Sequence, residues 1–214
     1  MITITGFKWV PDFAKGLVRD LRVRWACEEA GLPYQTRLID HEEKNTDAYR
    51  VLQPFCQVPA YEDGEVSIFE SGAMVLRIAE KSEALLPLAD PARARAIAWI
   101  FAALNSVEPS IISLISVDVF NADKPWSKDA RPTVEALVKA KLGHLARRLD
   151  GRTWLEADRF TAGDLMMATT LRFLRHTSVV TADPVLGPYL ARCEARPAFQ
   201  RALEAQLSSF TEAA

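Results

Sequence analysis

Apolar and polar residues alternate from Met1 to Thr5, the period of a half-buried strand, and Gly6 closes it. The next residues, FKWVPDFAKGL, carry Pro11 and Gly16 and read as a loop. From about Leu17 to Ala30 the period changes: Val23, Ala26, Cys27 and Ala30 fall at i, i+3, i+4 and i+7, with Leu21 and Trp25 widening the stripe. Gly31 suits the left-handed stop of that helix, with Pro33 soon after. Tyr34 to Ile39 is a second strand, and strand, helix, strand implies a parallel pair joined by a right-handed crossover. His41 to Leu52 is polar and reads as a short or irregular helix. Val58-Pro59 is extended, because the proline ring disfavours the α region for its predecessor. A short strand then runs through Ala60 and Tyr61, Asp63-Gly64 turns the chain, and Glu65 to Phe69 returns antiparallel with Val66 and Ile68 on one face. Glu70-Ser71 opens a helix reaching about Lys81, with Ala73, Met74, Arg77 and Ile78 on its apolar face.

Beyond this point the pattern is helical. Ser82 to Asp90 has no period and contains Pro87, the composition of a linker. Asp90-Pro91 is an N-cap followed by proline at the first helical position. The helix it opens extends to about Val119, kinked or interrupted at Pro109, which lacks an N–H and crowds the preceding turn. Asn121 to Ser127 reads as a loop, followed by a helix to about Leu149 with Val134, Leu137, Val138, Leu142 and Leu145 on one face; Asp150-Gly151 stops it. Thr161 and Asp164 have capping-box spacing, and LMMATTLRFLRH after them is apolar nearly all round, as a helix in the middle of a bundle must be. Helices near Pro184–Ala195 and Pro197–Leu207 complete the chain. The expected organisation is an α/β domain over 1–81, a linker over 82–90 and an all-helical domain over 91–214.

Composition narrows the function. With 214 residues, 49% of them hydrophobic, the chain can bury a sizeable core; a net charge of −2 and a pI near 6.0 argue against an electrostatic nucleic-acid partner. Cys27, Cys56 and Cys193 contain no C-x-x-C pair, so neither a disulfide framework nor a zinc site is expected, and a reducing, cytoplasmic setting is. His41, His144 and His176 lack ligand spacing, so no metal is expected. No basic-then-apolar leader and no uninterrupted apolar run of spanning length is visible, so no membrane association is expected.

Chemistry concentrates at Glu70-Ser71. A helix N-terminus offers unpaired N–H groups and partial positive charge to a carboxylate, Ser71 adds a hydroxyl donor, and Glu70 can meet an ammonium. An α-amino acid carries both charges. The alternative is that both residues only cap the helix.

Three stretches, RVRWACEEAGLPYQ, QVPAYEDGEVSIFES and FTAGDL, together resemble the cytosolic, bacterial-type glutathione transferases along nearly the whole chain. The resemblance implies a thioredoxin-like α/β N-terminal domain followed by an all-α domain, and glutathione as co-substrate in detoxification chemistry. It implies a cis peptide before Pro59 and main-chain pairing of glutathione with Val58. Glu70 and Ser71 would hold the γ-glutamyl end, with Gln57, His41 and Lys44 as candidates for the glycine carboxylate. An electrophile, unidentified, would lie between the domains, with Trp99, Asn105, Ser106, Ser110 and Ser113 as possible contacts. It further implies a homodimer, with Met74, Arg77, Arg93, Ala96 and Trp99 as candidate contacts.

One departure matters. The family's usual thiol-activating serine, cysteine or tyrosine falls near Leu17, and no Ser, Thr, Tyr or Cys stands between Phe7 and Leu21. What remains is the N–H groups near Leu17 and Val18 and the cations Lys15 and Arg19, either of which favours a thiolate; surface cations without a role are the alternative. Cys56 stands where the family often has glycine, and is either a thiol for a mixed disulfide with glutathione or a small buried hydrophobe. A glutathione-binding or interaction module of the same fold without catalysis therefore stays open beside the enzyme.

Overall fold

A computed structural model describes residues 1–210. The described residues form two compact units, one of 1–86 together with 195–210, the other of 87–194.

In the first unit, β1 (Ile2–Phe7) and β2 (Tyr34–Ile39) pair in parallel, joined by α1 (Asp20–Ala30). β3 (Tyr61–Glu62) lies antiparallel to β1, and β4 (Ser67–Ile68) antiparallel to β3, giving the sheet order β2-β1-β3-β4. Between β2 and β3 come a 3₁₀ turn over Glu43–Asn45 and the one-turn helix α2 (Asp47–Arg50). α3 (Ser71–Ala79) follows the hairpin. β1 continues past Gly6 to Phe7, because both residues have partners on β2, Leu38 and Ile39. Gly31 closes α1 at φ 65°, and its N–H donates to the carbonyls of Cys27 and Glu28. The buried face of α3 is Met74, Val75, Ile78 and Ala79, whereas Ala73 is exposed. The apolar stripe is thus turned by one residue from the one expected.

The last helix belongs here too. α9 (Pro197–Leu207) packs on α1 rather than with the helical unit expected from the sequence. Phe199 sets its ring edge-on to Trp25 at 4.8 Å, and Arg196 makes a bidentate pair with Glu29 at 2.6 and 2.7 Å.

The second unit is helical. α4 (Asp90–Phe101) runs into a wide π turn over Ala102–Val107, then α5 (Glu108–Ile115) and a second π turn over Ser116–Phe120. Pro109 has no N–H for the carbonyl four residues earlier, and the helix absorbs that loss by widening rather than by breaking. The 31-residue helical stretch Asp90–Phe120 is long and apolar enough to cross a membrane by length and composition alone, although Asn105, Ser106 and Glu108 break any continuous apolar run. Ala96, Ile100, Ala103, Val107, Ile111 and Leu114 of this helix are buried in its own unit.

α6 (Pro125–Leu149) starts inside the stretch expected to be a loop, with Pro125 at its first position, and buries Val138, Leu142, Leu145 and Leu149. Leu137, expected on that face, is 58% exposed. α7 (Ala162–Leu171) is buried along its whole length, and α8 (Leu186–Glu194) closes the unit. At the start of α7, the Asp164 carboxylate accepts from Thr161 N, Thr161 Oγ1, Leu155 N and Tyr189 Oη at 2.9–3.0 Å. Burial pushes the Asp164 carboxyl up, and the four donors oppose that only in part.

Candidate functional site

The peptide bond before Pro59 is cis. Val58 packs its side chain into the cluster of Ile39, Tyr49 and Ala60, with Phe7, Val18 and Leu52 against it. Its neighbours spend their carbonyls inside the fold: Tyr49 Oη donates to Gln57 O at 2.8 Å, and Thr5 N donates to Ala60 O at 2.9 Å. Among the described residues, the N–H and C=O of Val58 have no partner. Its side chain is anchored while its peptide groups stay open, which is the condition for an extended ligand to add as a strand.

Asp63 builds the neighbouring hairpin. Its Oδ1 accepts from Glu65 N and Val66 N, both at 3.1 Å, while Oδ2 accepts from Lys81 at 2.9 Å, Tyr61 Oη at 3.1 Å and Arg77 Nη2 at 3.2 Å. The Lys81 ammonium above all, together with those turn N–H groups, holds its carboxyl well below the usual range. Asp63 thereby ties the turn to α3, and so places the start of that helix.

At that start Glu70 adopts φ 71°, ψ 111°, a left-handed conformation that favours glycine. Its side chain is exposed, with no partner among the described residues. Strain of this kind persists where the surroundings over-determine it and clusters at ligand sites. The first bond of this helix runs from Met74 N to Glu70 O, so the N–H groups of the opening turn lie outside the ladder. Ser71 is buried, and its Oγ accepts from Arg22 Nη1 at 3.1 Å.

The thiol region differs from expectation. α1 begins at Asp20, three residues later than Leu17, and Leu17 N is spent on Ala14 O at 2.9 Å; of the two N–H groups named from the sequence, Val18's has no partner among the described residues. Lys15 pairs with Asp12 at 2.7 Å, and Arg19 immediately precedes the helix. The positive end of α1 already holds an acid: buried Asp20 accepts from Arg24 Nε at 2.8 Å and Gln206 Nε2 at 2.6 Å. Burial pushes the Asp20 carboxyl up, and the Arg24 guanidinium opposes that.

The candidates for the glycine carboxylate scatter in their engagement. His41 stacks on Phe7 at 4.5 Å, Lys44 donates to Asn45 Oδ1 at 3.1 Å, and the Gln57 side chain is exposed. Cys56, at φ 53°, receives Arg50 Nε at 3.3 Å and is half-buried, not a fully buried hydrophobe. Burial pushes the Cys27 thiol up to about 12, in keeping with an inert core residue. Among the described residues, no group of His, Cys, Asp or Glu is placed to hold a metal.

In the second unit, Ser110 and Ser113 donate back to Val107 O and Pro109 O of their own helix, at 2.8 and 2.9 Å. Trp99 lies under the Arg148 guanidinium, 5.7 Å from the ring centre, while Asn105 and Ser106 are exposed. Two candidate dimer contacts are corrected: Met74 and Ala96 are fully buried within their own units and present no surface. Arg77 is engaged by Asp63 and Glu65.

Sequence reasoning missed Arg22, Asp63's hub role, Asp20 and Gln206. The RVRWA stretch did signal the first, since Arg22 is charged yet adjacent to a buried stripe.

The first unit thus has a thioredoxin-like sheet and helices carrying an open peptide edge at a cis-proline and a helix start with a carboxylate and a hydroxyl. A family model described as "Glutathione S-transferase, N-terminal domain" matches residues 21–85. A glutathione S-transferase of Hyoscyamus muticus is 28% identical over 184 residues, covering 81% of this chain and 84% of the relative. One from Escherichia coli O157:H7 is 24% identical, covering 83% and 89%. A Burkholderia graminis glutathione transferase, solved with two glutathione molecules per subunit, superposes with TM-score 0.83 at 26% identity, covering 95% of this chain and 88% of that one. Along most of its length the chain is similar to glutathione transferases, and its residues 21–85 match the N-terminal domain of that family.

Proposed function

We propose that this chain is a glutathione-using enzyme, joining the glutathione sulfur to a small electrophile or running a related peroxidase or thiol-transfer reaction. The observation that carries the reading is the unpaired main chain of Val58 beside an exposed Glu70 and a buried, hydrogen-bonded Ser71. Val58 pairs with the cysteinyl main chain; Ser71 and the α3 N-terminus receive the γ-glutamyl carboxylate, and Glu70 its ammonium. In the transfer, the thiolate lone pair forms a C–S bond as the leaving group departs or an epoxide C–O bond opens. Lowering the thiol pKa falls to Val18 N–H and to the charges of Lys15 and Arg19 in place of a side-chain hydroxyl or thiol. The expected partners are glutathione, an electrophile and a second copy of the chain, in a reducing cytoplasmic setting where Cys27, Cys56 and Cys193 stay as thiols.

Calorimetry tests the binding half. Glu70→Ala and Ser71→Ala are each expected to weaken glutathione about tenfold, and parental affinity in both variants rejects the site. Turnover with aryl halides, epoxides and peroxides tests the catalytic half. The absence of Ser, Thr, Tyr and Cys from Phe7 to Leu21 favours a second reading, a glutathione-binding module without catalysis. Binding without product across that panel selects it.

A further inference from the structure

Arg22 is 1% exposed, on α1, forty-nine residues from the Ser71 hydroxyl to which it donates at 3.1 Å. A guanidinium can only donate, so it occupies a lone pair of Ser71 Oγ. The hydroxyl proton must then point elsewhere. Ser71 is the first residue of α3, where the helix start directs its own N–H groups outward. The same contact polarises the O–H bond and brings a buried positive charge within one hydroxyl of the place where an anion would rest.

We propose that Arg22 is a positioning residue that fixes Ser71 as a hydrogen-bond donor, and so sets the selectivity of this site for a ligand bearing an α-carboxylate. The inference rests on the glutathione reading above and adds to it a residue that does not itself touch the ligand. Without Arg22, the Ser71 hydroxyl is free to turn and donate to a carbonyl of its own chain, as Ser110 and Ser113 do. The carboxylate would then lose its oriented donor while the ammonium contact to Glu70 and the main-chain contact to Val58 remain.

The test compares glutathione with γ-aminobutyryl-cysteinyl-glycine, which lacks only the α-carboxylate, by calorimetry on the full chain. The parent is expected to prefer glutathione by tenfold or more. In Arg22→Leu and Arg22→Gln that preference is expected to fall to within about threefold, with affinity for the analogue unchanged. In Arg22→Lys, which keeps the charge and a donor, part of the preference is expected to return. Adding Arg22→Leu to Ser71→Ala is expected to cause no further loss, since the effect passes through that hydroxyl. Equal weakening of both ligands, or an undiminished preference in variants whose thermal melts show them folded, overturns the inference. If Arg22→Leu does not fold, Arg22→Lys and Arg22→Gln decide it by the same comparison. A parent that binds neither ligand instead overturns the glutathione reading itself.

Discussion

Single residues here matter by what they organise. Asp63 looks like half of a turn dipeptide, yet its carboxylate collects two turn N–H groups, a phenol, a guanidinium and an ammonium. Removing its charge leaves several donors short of a partner. Asp63→Asn is therefore expected to cost about 1–2 kcal/mol at pH 7, measured by urea unfolding. Because folding lowers this pKa, Asp63 stabilises the native state above its unfolded value of about 3.9, and that contribution fades as pH falls through the lower native value. The gap between parent and variant should accordingly narrow below about pH 4; a gap independent of pH would show that the charge is not what stabilises the hairpin. Glu70 is the counterpart, strained at φ 71° and without a partner among the described residues, so its side chain adds no observed contact to the fold.

Among the elements, the clearest constraint is the contact of α7 with α4. A Cβ added at Gly163 would lie 2.6 Å from Trp99 Cβ and 3.1 Å from Ala96 O. One of these is side-chain root and the other backbone, so neither can swing aside. Gly163→Ala is expected to lower stability by about 1–3 kcal/mol and the melting temperature with it, while the glutathione affinity proposed for the other unit stays at the parental value. The sequence placed α7 and its cap correctly from Thr161, Asp164 and an apolar run, because local spacing and composition are what a cap and a buried helix require. It misplaced the start of α6 and the exposure of Leu137, because proline at a first helical turn and proline in a loop look alike until the partner helix is known. The π turns before and after α5 were equally invisible: a missing N–H at Pro109 permits widening, kinking or breaking, and packing chooses among them.

For the molecule as a whole, the largest departure from the linear reading is that its first compact unit is completed by its last helix. Asp20 and Glu28 of α1 are held by Gln206 and Arg201 of α9, Glu29 by Arg196 at its N-cap, and Phe199 covers Trp25. Phe199→Ala is expected to cost about 3–5 kcal/mol and to speed amide exchange along α1, although it lies far from the site in sequence; unchanged exchange there would separate α9 from the stability of α1. The sequence by itself determined the order of strands and helices, the turn at Asp63-Gly64, the capping box of Thr161 and Asp164, and the short motif of Val58, Pro59, Glu70 and Ser71, because these depend on spacing within a few residues; it misassigned the N-cap of α4, which is Ala89 and not Asp90. Tertiary structure alone decided that α9 lies on α1, that the side chain of Val58 is anchored while its main chain stays open, and that Arg22 reaches Ser71. Such pairings join residues tens to hundreds of positions apart, and periodicity tells which face of a helix is buried but not against what.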